Sequence, residues 1–330
     1  NTWLDYWSHV HVTGIDLGLE RVIPVAQKLG VMRPQATVLT VAGTNGKGST
    51  STTLAAILNA QGYQVGLYQS PHIYRFNERV KLSGIEVDDQ SLVDAFVEVD
   101  QARRACDLSL SFFEATTLAA FVIFKAQKCD VWVLEVGLGG RLDVVNVISP
   151  DVAVITNIGV AHLEFMQPRE AIAKEKGMFA ESLPQDGWLI MPEEHEFTES
   201  ICGRTAARVM TVGLSCGDLR AENLLETSKG TKFQIVSADG KTVEAEIAVP
   251  GRHMVVNALF AAAVGQILGV GGEEAVRGLA AAQLTGGRLQ LSNINGVDIL
   301  DDSYNANPDS MRAALRTLAG LPCEGRRVSA

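Results

Sequence analysis

The chain has 330 residues, 47% hydrophobic and 20% charged, enough apolar mass for a substantial core and more than one domain. A net charge of -10 and a pI near 5.1 argue against a general binder of nucleic acid or anionic membrane, while local basic pockets for anionic small molecules stay open. Five scattered cysteines without Cys-x-x-Cys spacing argue against a disulfide framework or a zinc site, and the N-terminal stretch has no basic start and apolar run, so no secretion signal and a cytoplasmic setting are expected.

In chain order, Thr37–Ala42 (TVLTVA) is a short apolar run rich in β-branched residues and reads as a buried strand. A glycine-rich turn follows, then 49–61 carries Leu54, Ile57 and Leu58 at helical spacing. Residues 64–69 read as a second strand, 89–104 and 112–127 as helices, and 130–136 (DVWVLEV) as another buried strand. The pattern repeats with strand 151–157 (DVAVITN) and helix 168–183. Strands alternating with helices of this length predict a parallel, helix-flanked sheet, an α/β fold. The texture then changes: 232–249 alternates polar and apolar residues about Asp239-Gly240, a hairpin signal that predicts a small antiparallel sheet at the edge of the parallel one. Helical patterns return at 253–268 and 273–282, and Gly286-Gly287 reads as a hinge. Beyond it, Val297–Asp301, 308–318 and 327–330 read as β, α and β, the start of a Rossmann-like second domain. The expected division is 1–285 and 286–330, the second unit being too short to stand alone and expected to be truncated. No apolar stretch approaches the ~20 residues that span a bilayer, so no membrane association is expected.

A strand, then Gly43-Thr44-Asn45-Gly46-Lys47-Gly48-Ser49-Thr50, then a helix is an arrangement in which backbone N–H groups surround a polyphosphate. Lys47 would reach the β- and γ-phosphates and the Ser49 hydroxyl would bind magnesium, although Gly48 intervenes where the common Walker spacing has none. Glu135 ends a buried strand beside Gly137-Leu138-Gly139-Gly140, Arg141 and Asp143, and a carboxylate there borders the ligand crevice. Taken alone, Glu135 also reads as a solvated strand end, and Ser70 and His162 as ordinary residues after their strands. These positions follow four different strands on one sheet edge, and that convergence is the argument for a site. Lys176, taken alone, is a solvated surface lysine on its helix.

GTNGKGST, SPHIYRFNERVKLSG (70–84), EVGLGGRLD (135–143) and the N-terminal WLDYWSHVHVTGIDLGLERV closely resemble the folylpolyglutamate synthase/dihydrofolate synthase branch of the Mur ligase family, over roughly residues 1–160. The segments AHLEFMQPREAIAKEKGMF (161–179), PGRHMVVNALFAAAV (250–264) and DDSYNANPDSMRAAL (301–315) resemble instead the UDP-N-acetylmuramoyl-tripeptide–D-alanyl-D-alanine ligase of the same family. The chain therefore reads as a mosaic with a seam around 151–160. The resemblance implies ATP-dependent phosphorylation of a carboxylate, attack of an amine on the acyl phosphate, and ADP as product. It implies two Mg2+ ions, one held by Ser49 and Glu135, the other by Ser70, Glu135 and His162, with Lys47 on the phosphates and Lys176 carbamylated. It places Asn257, Arg288, Asp302 and Asn305 on the nucleotide, although Asn257 also reads as satisfying helix-terminal groups and Asp302 as a helix cap. Phe76, Asn77, Arg79 and Asp143 would serve the pterin side. The expected activity is addition of L-glutamate to folate or dihydropteroate by a monomer acting on small molecules. A peptidoglycan-precursor ligase and an ATP-binding chimera without ligase activity are the alternatives.

Overall fold

The computed structural model describes residues 2–11, 18–140, 142–159, 169–227, 229–323 and 325–329. Two short helices, α1 (Thr2–His9) and α2 (Val22–Leu29), precede strand β1 (Thr37–Ala42) and helix α3 (Lys47–Gln61). Then come β2 (Val65–Tyr68), β3 (Val80–Leu82), β4 (Ile85–Glu86), α4 (Asp89–Ala105), α5 (Phe112–Ala126), β5 (Val131–Glu135) and β6 (Val152–Ile155). The next stretch holds α6 (Arg169–Ser182), β7 (Trp188–Pro192), α7 (Thr198–Cys202) and β8 (Arg208–Gly213). It continues through β9 (Leu219–Thr227), β10 (Gly230–Ser237), β11 (Thr242–Ile247), α8 (Arg252–Ile267) and α9 (Gly272–Ala281). The C-terminal part is β12 (Gln290–Ile294), β13 (Val297–Asp301) and α10 (Pro308–Gly320).

One eleven-stranded sheet runs in the order β11-β10-β9-β8-β7-β6-β1-β5-β2-β3-β4, and its centre is parallel. Both faces are covered, and the central strands show why. On β5, Val131 and Val133 point into one core while Trp132 and Leu134 point into the other; Val152/Val154 and Ala153/Ile155 divide β6 in the same way. Side chains alternate across a strand, so an all-apolar strand needs a helix layer on each face. The layers are α3, α8 and α9 on one side, and α1, α2, α4, α5 and α6 on the other. Local signals fix several helix starts. Asp88 caps α4 by accepting from Ser91 N at 2.7 Å, and Ser111 and Glu114 form a reciprocal capping box on α5, with Glu114 also held by Arg21 at 2.7 Å.

The hairpin about Asp239-Gly240 forms as β10–β11 and bears out the small antiparallel sheet; β8 pairs parallel with β9 and β9 antiparallel with β10, so these strands continue the edge of the main sheet. Two other expectations are corrected. The C-terminal unit opens with an antiparallel pair, β12–β13, whose first strand escaped the sequence pattern because its residues are mostly polar and exposed. Residues 325–329 form no strand: without a neighbouring strand, an apolar pattern there has nothing to pair with. Among the described residues no helix is long and apolar enough to cross a membrane.

Candidate active site

The adjacent strands β6, β1, β5 and β2 end side by side, and their C-terminal ends carry Asn157, Gly43, Glu135 and Ser70. This is the edge on which ligands bind in open parallel sheets. Helix α3 starts at Lys47, two residues earlier than its apolar spacing predicts, with Gly46 as N-cap at φ 82°. Its first bond runs from Thr50 N to Gly46 O at 2.8 Å, so the amides of the preceding turn have no intrahelical acceptor. Side chains at Gly43 or Gly46 would collide with Thr156 Oγ1 and with the Asn257 amide. Glycine lets the loop approach both.

Charge gathers above that turn. A Cβ on Gly48 would lie 2.7 Å from Arg288 Nη2 and 3.4 Å from Glu135 Oε2, so α3 starts beneath both groups. Glu135 is 3% exposed; burial raises its pKa, opposed by Lys47, Arg288 and a hydrogen bond from the Ser70 N–H. Asp143 is raised to about 6 by burial even though the N–H groups of Leu138 (2.9 Å) and Val145 (3.1 Å) hold its carboxylate. Lys47 Nζ folds back to Gly43 O at 3.1 Å, and Lys176 Nζ reaches the same oxygen at 3.2 Å and Gly139 O at 3.1 Å. Two ammonium groups on one carbonyl repel by a few kcal/mol at an effective dielectric of about 20. Lys176 yields: burial first, then Lys47, lowers its pKa to about 7. Burial lowers Lys47 too, opposed by Glu135 and Asp143 and assisted by Arg288. Lys176 is thus 6% exposed, contrary to the surface lysine its helix pattern suggests, because α6 packs so closely that a Cβ on Gly140 would lie 2.5 Å from Glu175 O.

The remaining expected residues divide. Ser49 and Thr50 are buried at the head of α3, and Thr50 Oγ1 has no hydrogen-bond partner among the described residues. Asn257 is buried against the loop. Arg288 lies 3.9 Å from the centre of the Tyr304 ring, with its Nε unpartnered among the described residues. Asp302 does not cap α10; its carboxylate accepts from Leu289 N at 3.3 Å, and Asn307 is the cap. Asn305 is exposed and accepts only a local bond, from Ala306 N at 2.9 Å. Phe76 and Asn77 are interior supports of the 70–79 loop, Asn77 donating to Val87 O (2.8 Å) and Asp89 Oδ1 (2.9 Å). Arg79 lies over the Phe76 and Phe112 rings and donates to His72 at 2.8 Å. His162 falls outside the described residues.

Four groups that frame the loop were not expected. Asn157 Oδ1 accepts from Thr44 N (3.2 Å) and Asn45 N (3.0 Å), and its Nδ2 donates to Asn45 O at 3.1 Å. Thr156 Oγ1 donates to the same oxygen at 2.6 Å. The loop amides open to a phosphate therefore begin at Gly46. Gln69 Nε2 reaches Gly48 O (2.9 Å), Ser51 Oγ (2.8 Å) and Thr52 Oγ1 (3.0 Å). Asn307 Nδ2 donates to Asn45 Oδ1 at 2.6 Å. The only sequence signal for Gln69, Thr156 and Asn157 was their place at the end of an expected buried strand, which does not separate them from ordinary strand-end residues.

Residues 41–265 match the Mur ligase middle domain. The dihydrofolate synthase/folylpolyglutamate synthase of Escherichia coli (strain K12) is 49% identical over 185 residues, 56% of this chain and 43% of that protein, so the chain spans less than half of this relative's length. The structure of E. coli FolC in complex with DHPP and ADP superposes with a TM-score of 0.86 at 34% identity, covering 98% of this chain and 75% of that one. A bifunctional folylpolyglutamate synthase/dihydrofolate synthase with Mn, AMPPNP and L-glutamate bound gives 0.81 at 33% identity, over 96% and 74%. These matches run through residues 161–330 as well, so that half needs no second parent and the mosaic reading is set aside.

Proposed function

Since this chain belongs to the Mur ligase family, in its folylpolyglutamate/dihydrofolate synthase branch, we propose that it is an ATP-dependent, ADP-forming ligase that adds L-glutamate to a folate or dihydropteroate carboxylate. The observation that carries this reading is the set of Lys47, Glu135, Lys176 and Arg288 gathered about the first turn of α3.

In the proposed reaction, a substrate carboxylate oxygen forms a bond to the γ-phosphorus of ATP as the β,γ-bridging bond breaks and ADP leaves. The glutamate amine then attacks the acyl carbon, and the tetrahedral intermediate expels phosphate as the amine proton passes to solvent or base. Such phosphoryl transfer depends on alignment and charge neutralisation more than on covalent help. The amides from Gly46 onward and the Lys47 ammonium would cradle the phosphates, with Arg288 closing from the C-terminal side. Glu135, a buried carboxylate near Gly48, and the buried hydroxyl of Ser49, the next residue of α3, are hard-oxygen donors suited to magnesium, which when bound would neutralise phosphate charge. The second expected ion would use Ser70, Glu135 and His162. Lys176, close to half neutral near pH 7, has the free amine needed to add CO2 and become a carbamate, an anion whose negative charge would suit a cation-rich site. Asn257, Asp302 and Asn305 are proposed on the nucleotide side, and Arg79 and Asp143 on the pterin side. Residues 1–285 would form the ATP-binding unit and 286–330 part of a second unit that covers it.

ADP release from Mg·ATP tests the proposal. Release should require dihydropteroate and L-glutamate together and should not respond to a UDP-muramoyl tripeptide with D-alanyl-D-alanine. Lys47→Ala should weaken ATP binding at least tenfold, about 1.4 kcal/mol. An unchanged affinity in that variant would sink the assignment.

A further inference from the structure

Asn45 is fixed from every side. Its N–H and C=O are taken by Asn157 and Thr156, and its side-chain amide forms a reciprocal pair with Asn307: Asn307 Nδ2 donates to Asn45 Oδ1 at 2.6 Å, and Asn45 Nδ2 donates back at 3.4 Å. Asn307 has a second task. Its Oδ1 accepts from Asp309 N and Ser310 N, both at 3.0 Å, and so caps α10. One side chain thus joins the start of the C-terminal helix to the middle of the phosphate loop, across 262 residues of sequence. Apolar burial along α10 is slight: Thr317 is its one buried residue, and Ala314 packs partly buried against the core. The Asn45–Asn307 pair adds a polar tie at the loop to that slight packing.

We propose that Asn307 is a positioning residue that couples docking of residues 290–320 to the conformation of the phosphate loop, so that docking and ATP binding reinforce each other. The proposal rests on the reading of 43–50 as the ATP loop. A docked α10 holds Asn45 in one rotamer and leaves the loop less freedom to lose when phosphate arrives, and linkage makes the effect reciprocal. The pairing has a chemical signature that separates it from capping. Serine accepts from the N2 and N3 amides as asparagine does, but it has no amide to pair with Asn45.

The test compares N307S with N307A in the full chain, by titration with Mg·ATP and by hydrogen exchange without nucleotide. N307S should keep its melting temperature yet bind ATP about fivefold more weakly, the size expected for one lost hydrogen-bonded pair. It should also speed exchange of the amides at 44–49. N307A should show both effects and a lowered melting temperature. Added to Asn45→Ala, N307S should have no further effect on ATP affinity. N307S with unchanged loop exchange and affinity, while N307A alone is impaired, would reduce Asn307 to a helix cap and overturn the coupling. If the unaltered chain bound no ATP, the loop reading itself would fall, and the exchange measurement would still decide the Asn45–Asn307 link.

Discussion

At the scale of single residues, the site is organised by two buried lysines that differ in fate. Lys176 has a pKa of about 7 in the fold against 10.5 outside it, so between those values the unfolded chain binds the extra proton. Stability must therefore rise with pH across that window, and the penalty for burying the charge is present in full below about pH 7. Lys176→Met should raise folding stability at pH 7 by up to a few kcal/mol, with the gain shrinking as the pH approaches 10, while ADP release falls at least a hundredfold. Denaturant melts at pH 6, 8 and 10 check it; a variant less stable than the parent at pH 6 would contradict the burial argument. Glu135 is buried too, but its neighbours Lys47 and Arg288 favour its charged form. Glu135→Gln is expected to fold and to lose the magnesium dependence of ADP release, with a rate loss of about a hundredfold. Retained magnesium dependence would move the ion elsewhere.

Among the elements, the start of α3 is the piece that everything else positions. Gln69, just past β2, ties the Gly48 carbonyl and the Ser51 and Thr52 hydroxyls of that helix to the sheet. Gln69→Leu keeps the volume but strips these buried acceptors of their donor, a cost of about 1–3 kcal/mol. A drop in melting temperature of about 2–6 °C should follow, together with weaker ATP binding. An unchanged melt would mean that the helix start is held by the loop alone. The sequence foretold the strands and helices of this region because buried parallel strands are continuous apolar runs and Asp88 and Ser111 mark helix starts. It singled out Glu135 and Lys47 by their place at and after strands. It was silent on Gln69, Thr156 and Asn157, whose roles arise from strands adjacent in space but distant in sequence. It misled on Lys176, because the surface that buries this lysine belongs to the 137–140 loop and not to its own helix.

For the whole molecule, the contrast lies between a sheet buried on both faces and a C-terminal part, 290–320, in which Thr317 is the one buried residue and Leu300 and Ala314 pack only partly buried on the core. The hairpin at 232–249 was legible as alternation, but neither β9 before it nor its continuity with the parallel sheet was, since a hairpin pattern does not say which edge it joins. The β12–β13 pair leaves Ile294 55% and Val297 62% exposed, and Tyr304 Oη meets Pro71 O at only 3.4 Å. Apolar burial is what makes opening costly, at roughly 25 cal/mol per Å², and this unit has little of it. Residues 290–320 should therefore open locally at a fraction of the global cost, exchanging their amides at least about a hundredfold faster than β1 and β5. Mg·ATP should narrow that gap, because Arg288, Asn307 and the phosphate loop meet where the nucleotide is proposed to bind. Hydrogen exchange with and without Mg·ATP measures both quantities. Exchange of 290–320 as slow as that of β1 without nucleotide would show that the C-terminal unit is fused to the body and that its polar contacts are stronger than their geometry implies.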